Sequence, residues 1–143
     1  MRPSDPDAWF LLASAHRRRG NNAEAEAALA EARRLSARDH VTLTAMGSRL
    51  LVAGWPDLAA QSLADAVRVR PDYGPAYNHL GRAMEQMGRL DEAAANYGRA
   101  LAVQPGFREA RTNLDRVSRA APVARAAAES RPSTVPEQNP KSP

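Results

Sequence analysis

Few residues in this chain are of a type able to do acid–base or metal chemistry, and their spacing limits them further. The 143 residues include three histidines, His16, His40 and His79, and no cysteine. Thiolate nucleophiles, disulfides and cysteine metal sites are therefore excluded. His16 recurs at helical spacing with Trp9 and Leu12, which predicts a core or boundary imidazole. His40 opens a helix, and His79 has no further ligand grouped with it in the sequence. No phosphate loop, dinucleotide glycine pattern or zinc-protease helix motif is present. Asp91 and Glu92 form a carboxylate pair at a predicted helix start, where they suit the helix dipole better than proton transfer. A non-enzymatic chain without metal or cofactor is expected.

The densest run of charge is His16–Arg17–Arg18–Arg19. Glu24, Glu26 and Glu31 follow it closely, and no aromatic stacking platform is interleaved, so it reads as a solvated face and nucleic acid is not an expected partner. A formal net charge of +4 and a pI near 10.3 favour acidic partners weakly, because the two signs are interspersed. Lys141 is the sole lysine and alanine is abundant, a bias typical of a GC-rich bacterial genome. Nowhere do about 18 apolar residues run together. Met1 to Phe10 holds two prolines and two aspartates in place of an apolar leader. A cytoplasmic chain with no membrane span is the expectation.

The side chains must be positioned by helices, and the helices repeat. A 34-residue period lays 6–39, 40–73 and 74–107 in register without a gap. Ala25, Ala59 and Ala93 share one column, Ala32, Ala66 and Ala100 another, and Leu29, Leu63 and Tyr97 the large apolar slot between them. Trp9, Leu12 and His16 recur at helical spacing, as do Leu43, Met46 and Leu50, then Tyr77, Leu80 and Met84. Gly20, Gly54 and Gly88 end the first helix of each unit, and Pro71 and Pro105 close second helices. The predicted helices are 7–19, 23–36, 40–53, 57–69, 75–87, 91–103 and 107–120.

On these residues the chain resembles the tetratricopeptide repeat (TPR) family of bacterial type. The third unit carries Tyr77, Leu80, Gly81, Ala93, Tyr97, Ala100 and Pro105 at the family's aromatic-x2-Leu-Gly, small, aromatic, small and proline positions. The first unit departs with Ala13 for glycine and Ala37 for proline, the second with Leu43 for the aromatic, Met46 for leucine and Trp55–Pro56 at its inter-helix turn. The resemblance implies an all-α, right-handed helical solenoid. A lead-in at 1–5 would precede three helix-turn-helix repeats (6–39, 40–73 and 74–107), with a capping helix at 108–121. The segment 122–143, rich in Pro, Ser, Ala and Arg, is expected to be a disordered tail, with a short helix around 123–130 as the alternative. Pro3 stands where the closing proline of a preceding unit would lie, and a chance proline explains it equally well.

By the same resemblance, first helices line a concave groove that holds a protein or peptide. The first unit would contribute Phe10, Leu11, Ser14, Arg17 and Arg18, and the second Val41, Thr44, Ala45, Ser48, Leu51 and Val52. The third would add Asn78, His79, Arg82, Glu85 and Gln86, and the cap Thr112, Asn113, Arg116 and Arg119. One half is mostly apolar and the other polar and basic, which suits a partner with an apolar anchor and acidic neighbours. Missing repeats or a second copy covering the apolar residues is the alternative, and oligomeric state stays open. Members that bind chaperone C-termini use a lysine, asparagine and arginine clamp. The matching positions hold Phe10, Ser14, Ala45, Pro75 and His79, which cannot grip a terminal carboxylate in that way. A scaffold or adaptor is the expected role, with a recruiting arm of a larger enzyme such as a transferase as its rival.

Overall fold

In the computed structural model, which describes residues 4–131, helices account for the regular structure and no strand occurs among the described residues. The helices are α1 (Pro6–Arg18), α2 (Asn22–Leu35), α3 (His40–Val52), α4 (Pro56–Val69), α5 (Gly74–Gln86), α6 (Leu90–Val103) and α7 (Arg108–Glu129). The first six begin and end within a residue of the expected bounds. The reason is local chemistry. Asp5 and Asp39 cap α1 and α3 through their carboxylates, and prolines occupy the first turns of α1, α4 and α5. Gly20, Gly54 and Gly88 take φ of 81°, 79° and 75°. This left-handed turn lets the amides of Gly20 and Asn21 bond the carbonyls of Arg17 and His16, and the same pair of bonds recurs at Gly54 with Trp55 and at Gly88 with Arg89.

Each hairpin buries the same columns. Ala25, Ala59 and Ala93, Leu29, Leu63 and Tyr97, and Ala32, Ala66 and Ala100 are all fully buried. The alanines let helix pairs approach closely, while the large residues between them contribute about 1.5–3 kcal/mol each on burial. The helices pair as α1 with α2, α3 with α4 and α5 with α6, and α4 then packs onto α5 and α6 onto α7. The first junction differs: α2 meets α4, with little direct packing of α2 on α3. At that end of the stack Leu12 is 42% exposed, although Met46 and Leu80 in the same column are 1% and 7% exposed.

The segment from 122 departs from expectation. α7 continues through Pro122 to Glu129, so 122–129 is helical, correcting the disordered tail over those residues. Two contacts accompany the extension: Ala121 is buried, and the Arg125 guanidinium pairs with Asp91 at the start of α6. Met1–Pro3 and 132–143, including the proline at position 3 and the rest of the expected tail, lie outside the described residues.

Candidate partner-binding groove

The expected groove residues separate by burial. Phe10, Ser14, Thr44, Leu51 and Asn78 are 6% exposed or less, which corrects their assignment as open groove positions. Phe10 sits under the Arg49 guanidinium, 3.9 Å from its ring centroid, and shares one core cluster with Leu51. The Ser14 and Thr44 hydroxyls donate to the carbonyls one turn back, Phe10 at 3.0 Å and His40 at 2.7 Å, so both are satisfied within their own helices. Asn78 accepts from Asn113 Nδ2 at 3.0 Å. Leu11, Arg18, Val41, Ala45, Val52, Gln86, Thr112, Arg116 and Arg119 are exposed, while Arg17, Ser48, His79, Arg82, Glu85 and Asn113 are intermediate.

The polar half gathers on α5, α6 and α7. A cleft of about 590 Å³ is lined by Arg82, Glu85, Gln86, Glu109, Asn113 and Arg116. Its centre is the Glu85 carboxylate, which accepts from the Tyr97 hydroxyl at 2.8 Å and pairs with the Arg116 guanidinium. Arg116 also donates to Asn113 Oδ1 at 3.1 Å, extending the network to Asn78. The expected basic half is therefore partly neutralised from within. Arg82 is different: it makes no ion pair among the described residues, and its NH1 lies 3.3 Å from His79 Nδ1. Burial holds the His79 pKa below the ordinary imidazole value and Arg82 lowers it further, against Glu109. The neutral ring accepts from Arg82 and brings no countercharge to the guanidinium.

The other candidates for chemistry stand apart. Arg17 is paired with Asp57 at 2.9 Å. His16 leaves Nδ1 buried without a partner, and His40 packs edge-on against Tyr73 at 4.7 Å between centroids. Asp91 and Glu92 are committed to Arg125 and Arg89. Among the described residues no group of three or more His, Asp or Glu could hold a metal ion, and no helix is long and apolar enough to cross a membrane. Glu109, Arg49, Ala53 and Trp55 were not among the expected groove residues, yet they line clefts on this molecule. Trp55 stood out in sequence as a bulky residue at an inter-helix turn, and that was the available signal.

Sequence models described as tetratricopeptide repeat match residues 74–107 and 1–40. The chain belongs to the tetratricopeptide repeat family. Heat shock protein STI1 of Saccharomyces cerevisiae is 38% identical over 55 residues, covering 38% of this chain and 9% of that protein. The chain thus matches a small part of that relative's length. The first TPR domain of human RPAP3 superposes with a TM-score of 0.65 at 21% identity, covering 88% of this chain and 99% of that one. The first TPR of Spaghetti (RPAP3), bound to HSP90 peptide SRMEEVD, gives 0.62 at 21% identity, covering 85% and 97%. At these identities the structural likeness is one of fold.

Proposed function

We propose that this TPR chain is a non-catalytic scaffold that holds a peptide segment of a partner protein, acidic in part, across the first helices of its repeats. The observation that carries this reading is Arg82, a half-buried guanidinium in the cleft between α5 and α7, without an ion pair among the described residues and fixed by a neutral His79. A partner carboxylate would give it the missing charge partner in a partly desolvated place, where such a bond is stronger than at the open surface. Arg116 would contribute by exchanging Glu85 for the guest. The peptide in the Spaghetti structure is itself acidic and carries methionine and valine, which supports a guest mixing carboxylates with apolar side chains. Because the helices are already stacked, little ordering of the array opposes binding. The strong bias to arginine over lysine supports a bacterial source.

The test is binding to an array of acidic peptides, read by fluorescence polarisation before and after Arg82→Glu and Arg116→Glu. Loss of about tenfold or more in affinity with Arg82→Glu is expected, with a smaller loss for Arg116→Glu. Acidic peptides that bind equally well to wild type and both variants would remove the charged half of the reading.

A further inference from the structure

A second cleft lies at the junction of the first two units. It measures about 450 Å³ and is lined by Phe10, Leu11 and Ser14 of α1, Arg18 of the same helix, Arg49 of α3, and Ala53 and Trp55 at the turn into α4. We propose that this cleft is an anchor subsite for a peptide in which a large aliphatic or aromatic side chain is flanked by an aspartate or glutamate. The proposal rests on the groove reading in taking the partner to be a peptide, and adds a place and a side-chain pairing to it.

The floor and walls are apolar. Phe10 and Trp55 both pack against the central core, so their positions are fixed before any guest arrives. Leu11 is 58% exposed beside them, leaving a large aliphatic side chain in water that a guest would cover. Ala53 caps α3 and is exposed, so its methyl group leaves space open. The volume falls within the range of preformed ligand clefts.

Two arginines and no carboxylate line this cleft. Arg18 has no ion pair among the described residues. Arg49 sits over Phe10 with its guanidinium carbon 3.9 Å from the ring centroid, a cation–π contact that holds the charge above the apolar floor. Its present partner is Asp7 at 3.0 Å, and the two side chains are 47% and 66% exposed. So hydrated a pair is weak, and a carboxylate delivered beside a buried apolar anchor can replace it. Ser14 is already committed as a donor to the Phe10 carbonyl, so recognition of the acid falls to the two guanidiniums. The charge is thus complementary to an acidic neighbour and the surface beneath it to an apolar anchor.

Random peptides displayed on phage and selected against the intact chain test this. Enrichment of sequences with Leu, Met, Phe or Trp next to Asp or Glu is expected. A synthetic peptide of that kind should lose about tenfold in affinity when its apolar anchor becomes Ala, and about tenfold against Arg18→Glu or Ala53→Trp. Both substituted positions are exposed and outside the core, so unchanged helical circular dichroism and melting temperature control for folding. Trp9→Phe leaves Trp55 as the one indole of the two, and its emission should change on saturation with the peptide. Selected peptides that lack the pairing, or that ignore Arg18→Glu and Ala53→Trp yet weaken with Arg82→Glu, overturn this subsite and leave the groove reading standing. Failure to select any peptide overturns both.

Discussion

Gly81 and Tyr97 show how a repeat position becomes part of a binding surface. A Cβ built on Gly81 would meet the Tyr97 ring at 2.5 Å. The ring cannot swing away freely, because its hydroxyl is held by Glu85 at 2.8 Å. Gly81→Ala should therefore cost about 1–3 kcal/mol by overpacking, and pairing it with Tyr97→Leu should recover part of that loss in denaturant titrations. Gly47 faces Leu63 in the same way, a Cβ built there meeting Leu63 Cγ at 2.4 Å inside the core, so Gly47→Ala should also destabilise by overpacking. The phenol also reports pH. Burial pushes the Tyr97 pKa up to about 12 from the ordinary phenol value of 10.0, against Arg82 and with Glu109. A raised folded-state value means that its stabilising contribution is complete below about pH 10 and is lost as pH rises through about 12. Tyr97→Phe should flatten that alkaline limb of a melting-temperature profile, and an unchanged limb would assign it to other groups.

At the scale of the helix, what could be read from sequence depended on punctuation. Gly20, Gly54 and Gly88 mark three helix ends, and the prolines after α4 and α6 mark two more, so α1 to α6 were legible to within a residue. No such mark fixes the end of α7, since alanines carry the helix onward while Pro122 argues against it. One contact along this stretch, Arg125 with Asp91, joins residues on different helices, and no local pattern announces it. The proline ring still removes an amide donor from the helix interior. Pro122→Ala should raise helical content and slow amide exchange over 119–129, whereas Arg125→Ala should speed exchange there and leave α5 unchanged. Asp39 is the strongest cap. Its hydrogen bonds from the Thr42 hydroxyl and from the Thr42 and Val41 amides hold its carboxyl below the usual range. Asp39→Ala should cost about 0.5–2 kcal/mol. A depressed folded-state value places this contribution above the unfolded aspartate pKa, and it should be lost as pH falls through the folded one.

Across the whole molecule, the groove was less legible than the repeats because its exposure depends on how units stack. The position rule that placed Phe10 and Leu51 in the open reads each helix face by itself, but at the first junction, where α2 meets α4, both residues turn into the shared core. That junction carries a polar clamp. Arg33 on α2 donates to Asp65 at 2.6 Å and to Gln61 at 3.0 Å on α4, with the ion-pair side chains 24% and 17% exposed. Burial raises the Asp65 pKa, but the hydrogen bonds from Arg33 and Arg68 outweigh it and the carboxyl stays below its ordinary value. Asp65→Asn removes the charge and leaves the amide in nearly the same space, so it should cost about 1–3 kcal/mol. In a stack whose units touch mainly their neighbours, the loss should not spread evenly. Amide exchange in α1 and α2 should rise well before exchange in α5 and α6. Glu92→Gln, at an exposed pair with Arg89, should change stability by less than about 1 kcal/mol and serves as the control. Uniform loss of protection along the array after Asp65→Asn would mean that the three units unfold as one and that the first junction is no weaker than the others.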